Sequence, residues 1–328
     1  MKALTNINAH SFADAVAAAR QVADAGRTLA YSGGGTDLLQ QIKDGTDKAD
    51  VIINLRTVRD AREVSVGTTE TRIGGLITLN DLAGHATLSD PWAVLREAAA
   101  SVGTPQIRNV ATLAGNVTQR PWCWYYRNGF HCFKAGGNQC FSVNGENQQH
   151  AIFGGGPSFI VHPSDLAPAL VALDATFEVA GPEGIRHIAS ADFFVLPSQN
   201  PARENALVAT ELLIGVRIPT PTAGVVSTYL KVTDREAWTH AEVSAAVVLH
   251  LDGDHIRTAS VVLGGVAPIP WRLTDVEHFL RGQALSAAVA DQAGALAIAN
   301  AQPLAKNSHK VPMTSAVVER ALMRLAPV

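Results

Sequence analysis

Cysteine, net charge and long apolar runs are all scarce in this chain, and each scarcity removes a class of protein. Only three cysteines occur, Cys123, Cys132 and Cys140, all in one short stretch. The opening residues, MKALTNINAHSFADAV, carry one Lys and no apolar core ahead of a small-residue cleavage site, so no secretory signal is expected. An odd, clustered cysteine set without such a signal argues against a disulfide framework. It leaves a metal or redox role, or three inert thiols. With 26 Lys plus Arg against 29 Asp plus Glu the formal charge is -3, which does not suggest a nucleic-acid or anionic-membrane surface. No stretch approaches the roughly 20 uninterrupted apolar residues of a membrane span.

The composition that remains is globular, 47% hydrophobic and 17% charged over 328 residues. At roughly 150 residues per domain that length predicts about two domains. A chain of this size buries about 75% of its unfolded surface, so it needs no disulfide or metal staple to fold.

The N-terminal segment reads as a small β-α-β module. Ser11 with Asp14 three residues on starts an alanine-rich helix that Gly26 ends. A strand, Thr28 to Tyr31, runs into Gly33-Gly34-Gly35. Thr36 and Asp37 are placed to cap the next helix, LLQQIKDG, and Val51 to Asn54 is an apolar strand. From about Thr57 short strands such as Thr71 to Gly75 alternate with short helices, and Trp92 to Val102 is a good helix. Residues 103–156 lack a regular pattern and are rich in Gly, Asn, Gln and aromatics. An irregular span of that length in a compact domain is usually functional. A helix and then a strand follow over His162 to Val179. Pro-rich boundaries fall at 197–206 and 218–224. Beyond them come strands at Thr228 to Val232, Val243 to Leu251 and Ile256 to Leu263. Helices follow at Leu273 to Leu280, Ser286 to Asn300 and Thr314 to Leu325, an α+β order.

Two loops carry chemistry. In Ser32-Gly33-Gly34-Gly35-Thr36-Asp37, consecutive glycines allow close backbone approach, and the helix start offers N–H groups to an anion such as a pyrophosphate. The loop fits neither G-x-G-x-x-G nor G-x-x-x-x-G-K-[ST], and a tight strand-to-helix turn explains it equally well. Thr112-Leu113-Ala114-Gly115-Asn116-Val117 brings hydroxyl, backbone and amide donors, or is an ordinary loop. The two together suggest one extended ligand held from both sides.

YSGGGTDLLQQIKDG, GGLITLNDLAGH and GTPQIRNVATLAGNV resemble the FAD-binding subunit of the xanthine dehydrogenase, aldehyde oxidoreductase and CO dehydrogenase family of molybdenum hydroxylases. YLKVTDREAWTHAEVSAAV and LGGVAPIPWR resemble that family's C-terminal flavoprotein domain, and the likeness is collinear over the whole chain. The resemblance implies an α+β fold. A vanillyl-alcohol-oxidase-type (PCMH-like) FAD-binding domain of two α/β subdomains would span 1–220 (1–56 and 57–220, with an insert at 120–160). A C-terminal three-stranded sheet with helices would span 225–328. It further implies that Ser32, Gly33, Gly34, Gly35, Thr36, Asp37 and Leu38 hold the FAD pyrophosphate from one side, and Gly103, Thr112, Ala114, Gly115 and Asn116 from the other. Asp165, in HPSD, would contact the flavin moiety, and Lys231 would stand near an isoalloxazine carbonyl, where a cation stabilises the reduced anionic flavin.

The cysteine spacing is not C-x-x-C, so a zinc ribbon is not suggested, whereas iron–sulfur clusters accept irregular spacing. The insert resembles that of the aldehyde-oxidoreductase and 4-hydroxybenzoyl-CoA-reductase subset, in which the flavin subunit carries a [4Fe–4S] cluster. Cys123, Cys132 and Cys140 would then be ligands, with Ser158 where relatives are expected to have a fourth Cys. His131, His150 and His162 are further candidates for that place. A cluster with a non-Cys ligand, a three-iron cluster and three reduced thiols all stay open.

The expectation is a FAD-binding electron-transfer subunit of a heterotrimeric molybdenum hydroxylase of the aldehyde or N-heterocycle/xanthine dehydrogenase type. Its partners would be a large molybdopterin-binding subunit and a small [2Fe–2S] subunit. The outgoing acceptor would be NAD, a quinone, ferredoxin or oxygen. The implied compartment is the cytoplasm, or the periplasm by co-export with a partner. Alternatives are a stand-alone FAD oxidase or dehydrogenase of the vanillyl-alcohol-oxidase fold, a cofactor-less scaffold that only bridges partners, and a zinc or redox-sensing protein.

Overall fold

A computed structural model describes residues 3–59 and 61–326. Residues 1, 2, 60, 327 and 328, which the expected domain spans include, lie outside the described residues.

The N-terminal module is β1 (Thr5–Asn8), α1 (Phe12–Asp24), β2 (Leu29–Ser32), α2 (Leu38–Asp44) and β3 (Val51–Asn54). Its sheet is all parallel in the order β1-β3-β2. It therefore has three strands where the sequence suggested two. TNIN lacks the apolar pattern of a strand and was hidden for that reason. Ser11 Oγ accepts from Asp14 N at 3.0 Å and caps α1, while Gly26 (φ +68°) supplies the left-handed turn that ends it. The expected cap of α2 does not form, because Asp37 is helical (φ -99°, ψ -48°) and its side chain is engaged elsewhere.

The second subdomain is built on a five-stranded sheet ordered β4-β5-β8-β6-β7: β4 (Val64–Val66), β5 (Glu70–Gly74), β6 (Thr176–Gly181), β7 (Gly184–Ala189) and β8 (Leu212–Pro219). Between β5 and β6 the chain makes α3 (Leu79–Ala83), α4 (Ala93–Ala100) and the one-turn helices α5 (Pro105–Arg108), α6 (Leu113–Val117) and α7 (Trp124–Arg127). Then α8 (Leu166–Ala172) leads into β6, and α9 (Ser190–Phe193) follows β7.

The C-terminal region has β9 (Val225–Val232), β10 (Val243–Asp252), β11 (His255–Gly264) and the two-residue β12 (Trp271–Arg272), followed by α10 (Thr274–Leu280), α11 (Ala287–Ala297) and α12 (Lys310–Met323). The sheet has four strands, β12-β11-β10-β9, one more than expected. Side chains alternate across β10. Ala245, Val247 and Leu249 face a core closed by α10, α11 and α12. Ala246 turns the other way, into the core of the second subdomain with Leu95, Ala98 and Leu170. With both faces covered, the strand reads as a continuous apolar run. Among the described residues no helix is long and apolar enough to cross a membrane.

Candidate functional site

The two loops singled out in the sequence touch. A Cβ added to Gly34 would lie 2.1 Å from the Val110 carbonyl oxygen, and one added to Gly33 would lie 2.8 Å from Thr112 Oγ1. Only glycine permits that approach. Thr112 also caps α6, its Oγ1 accepting from Gly115 N at 3.2 Å. The threonine and this backbone donor are therefore partly committed to each other.

Beside this contact opens a cavity of about 730 Å³. That lies within the roughly 300–1,000 Å³ of small-molecule and cofactor sites. Its walls come from three places: the start of α2 with α5 and α6, the cysteine insert with the HPSD segment, and the loop between β9 and β10. Thr36, Asp37, Gly103, Gly115, Asn116 and Asp165 line it, and Cys123 joins them. Gly33 and Thr112 instead line a small hollow on which Arg56 and Arg62 also border. Ser32, Gly34, Gly35, Leu38, Ala114 and Lys231 support these walls without lining the cavity.

Asn116 shows how the wall is set. Its Oδ1 accepts from Ser164 Oγ at 2.6 Å and Leu166 N at 3.4 Å, and its amide NH2 has no acceptor among the described residues. An oriented donor in the cavity wall without a protein partner suits an oxygen-rich ligand. Every polar residue of HPSD has a function here. Ser164 Oγ also accepts from Ala167 N at 3.0 Å at the start of α8. The buried His162 ring accepts from Ser164 N through Nδ1 at 3.4 Å and packs edge-on against Phe194. Its burial depresses its pKa to about 3, so it is neutral.

Asp165 is buried and bridges two partners. Its Oδ1 accepts from Tyr229 OH and its Oδ2 from Lys231 Nζ, both at 2.7 Å. Burial and this carboxylate together hold the Tyr229 phenol well above its usual range. Lys231 Nζ also donates to the Ser101 carbonyl at 3.1 Å and the Thr239 carbonyl at 3.3 Å. Its three donors are thus occupied, tying α4 to the β9–β10 loop. That loop holds Trp238 in left-handed backbone (φ +59°), with its N donating to the Gly103 carbonyl at 3.3 Å. Its indole is exposed at the cavity mouth.

The insert is tied down by polar contacts. Cys123 Sγ lies 3.3 Å from His150 Nε2, and Cys140 Sγ lies 3.1 Å from Ser142 Oγ. Burial pushes the Cys123 thiol up to about 11, and Cys132 and Cys140 are near enough to raise it further. His150 is depressed to about 4 by burial and by Lys310. The pair is therefore neutral thiol and neutral imidazole. Ser158 is buried, and among the described residues the hydrogen-bonding partners of the Cys123 and Cys140 sulfurs are His150 and Ser142 instead. Among the described residues no three His, Cys, Asp or Glu side chains converge so as to hold a metal ion.

Sequence reasoning missed His240 and Ser164 as cavity residues, and Arg127 as a tie between insert and glycine loop. Ser164 was signalled by its place in HPSD. His240, whose ring lies 5.3 Å from that of Trp122, gave no sign, because the contact spans two distant loops.

Residues 3–221 match the family described as FAD binding domain in molybdopterin dehydrogenase, and residues 228–325 the CO dehydrogenase flavoprotein C-terminal domain. The chain is 35% identical over 315 residues to the aldehyde oxidoreductase FAD-binding subunit PaoB of Escherichia coli (strain K12), covering 95% of this chain and 94% of that one. It is 28% identical over 319 residues to the carbon monoxide dehydrogenase medium chain of Afipia carboxidovorans, covering 96% and 93%. Among solved structures, reconstituted CO dehydrogenase from Oligotropha carboxidovorans superposes with a TM-score of 0.77 at 25% identity, over 98% of this chain and 97% of that chain.

Proposed function

The chain belongs to the FAD-binding medium subunits of the molybdenum hydroxylases, and on that footing we propose that it relays electrons within an assembly of the aldehyde or N-heterocycle dehydrogenase type. A large molybdopterin subunit would oxidise the substrate, and a small [2Fe–2S] subunit would deliver the electrons here. NAD, a quinone, ferredoxin or oxygen would take them away. The observation that carries this reading is the contact of the two loops beside one cofactor-sized cavity.

FAD, when bound, supplies a ring that accepts and releases electrons. The residues around the cavity fit it. Ser32 to Thr36 and Leu38, with Gly103, Thr112, Ala114, Gly115 and Asn116, hold the dinucleotide, the Asn116 amide donating to it, while Asp37 has its oxygens engaged within the protein. Asp165 orients the ring end, and Lys231, fixed by Asp165, keeps a positive charge close by and fastens the Trp238 loop that restricts water at the mouth. None of these side chains needs to touch the organic substrate. The separated chain is therefore expected to show diaphorase-like activity at most.

For the insert, the proposal is an iron–sulfur cluster held by Cys123, Cys132 and Cys140. Such a cluster gives each thiolate its own iron, so its ligands need not converge on one point as for a single ion. The grouping of three thiols within electrostatic reach of one another supports it. Ser158 is the candidate for the fourth position, and His150, already beside Cys123, is the other.

The test is anaerobic purification of the full chain, with and without co-expressed partners, followed by assay of flavin, iron and zinc on one sample. One FAD per chain is expected, with iron present. Flavin without iron would remove the cluster and leave the FAD subunit. Zinc without flavin would overturn both.

A further inference from the structure

Asp37 stands in the glycine loop, yet neither of its oxygens is free to cap α2. Oδ1 accepts from Arg127 Nη2 at 2.7 Å. Oδ2 accepts from Arg120 N at 3.0 Å and from Gln41 Nε2 at 2.8 Å. A carboxylate in the wall of a cavity meant for a diphosphate is repulsive unless its charge is matched. Arg127 supplies the match. It lies in α7, the turn that begins straight after Cys123, and its side chain is only 7% exposed. Its Nε donates to the Pro121 carbonyl at 2.9 Å and Nη2 also to the Arg120 carbonyl at 3.0 Å, with the guanidinium 4.3 Å from the centre of the Trp122 ring. Arg120 and Lys134, from the same insert, share Glu204 at 3.2 and 3.0 Å, so the segment bearing Arg127 is anchored at its other side.

We propose that Arg127 is a positioning residue for the dinucleotide: it neutralises Asp37 and fixes the glycine loop, so that the cysteine insert sets the affinity of the pyrophosphate site. The inference rests on the FAD reading above. It makes the insert a part of the flavin site whatever its cysteines bind. It also gives Asp37 a different role from that of a direct cofactor ligand: the residue is the loop's handle, held by the insert.

The test uses the full chain, stripped of flavin and titrated with FAD, and separately with ADP as a probe of the pyrophosphate site. Arg127→Gln leaves Asp37 uncompensated and is expected to weaken FAD and ADP alike, by about tenfold or more, as for loss of a charge-assisted pair. Asp37→Asn removes the repulsive charge and is expected to bind both at least as tightly as the wild type. The double variant is expected to recover most of what Arg127→Gln loses. That recovery separates charge matching from simple packing, and it does not depend on Arg127→Gln alone folding well. Equal weakening by Asp37→Asn and Arg127→Gln, with no recovery in the double variant, would overturn the inference. So would unchanged affinity in Arg127→Gln. A wild-type chain that takes up neither FAD nor ADP would instead overturn the FAD reading itself.

Discussion

The two sides of the cavity are held together by different physics. The C-terminal region closes an apolar core on one face of a four-stranded antiparallel sheet with three helices, through residues such as Leu249, Val261, Leu263, Val317 and Leu322. The insert and HPSD segment have little regular structure, and they bury Arg127, Lys134, Ser142, Asn147, His150, Ser158 and His162. Their order comes from side chains bonded to the backbone. Asn147 Nδ2 donates to the Ser142 carbonyl, and its Oδ1 accepts from Lys306 N; Asn307 Nδ2 donates to the His150 carbonyl. The two regions meet where Ile152 and Phe153 of the insert enter the C-terminal core. The apolar side tolerates change in proportion to volume lost, while the polar side fails when one partner is removed.

The widest separation between the two should come from Glu204→Ala. It removes the counter-ion of Lys134, 1% exposed and left with the Arg203 carbonyl alone, and that of Arg120. Breaking a buried pair on one side costs about 3–5 kcal/mol. Urea unfolding should show that loss, with new proteolytic cuts confined to the insert; a loss below about 1 kcal/mol would mean that the pair is not held as described.

Leu249→Ala, on the apolar side, should cost about 2–5 kcal/mol by opening a cavity in the C-terminal core. Because that core continues into Ile152 and Phe153, the transition should move as a whole by both far- and near-ultraviolet dichroism. Selective cutting of the insert would break the comparison.

The smallest difference, per unit of pH, is expected from titration. His150 and His162 are neutral when folded, with pKa values depressed to about 4 and about 3. The unfolded chain binds protons below about pH 6.5 where the folded one does not, so stability is full above that value. It falls as pH drops toward the folded values, each histidine adding at most about 1.4 kcal/mol per pH unit. On the C-terminal side the buried Lys310 is depressed to about 8, so its penalty develops between about pH 10.5 and 8 and adds no slope in acid. Urea midpoints at pH 7 and pH 5 should therefore differ less in His150→Asn than in the wild type. Equal differences would remove His150 from the account.

Read from the chain alone, the elements built on periodicity were legible: α1, α4, β3 and the long strands and helices after residue 225 lie where their apolar patterns put them. β1 and β12 were not, because TNIN and WR gain strand geometry only from the partners they pair with. The glycine loop and Thr112 to Asn116 were visible as candidate ligand loops from residue type and spacing. The chemistry of Asp37 and Lys231 was not, since both look in sequence like groups available to a ligand.

The sequence by itself determined the long periodic elements and the residue types of the two ligand loops, because local periodicity and turn chemistry are written in neighbouring positions. Only the tertiary structure decided which of those groups are available. Asp37 is held by an arginine 90 positions away, Lys231 by a carboxylate 66 positions away, and Asn116 by a serine 48 positions away. A hydrogen bond acts over about 3 Å, and which distant residues come within that reach is fixed by the packing of whole layers.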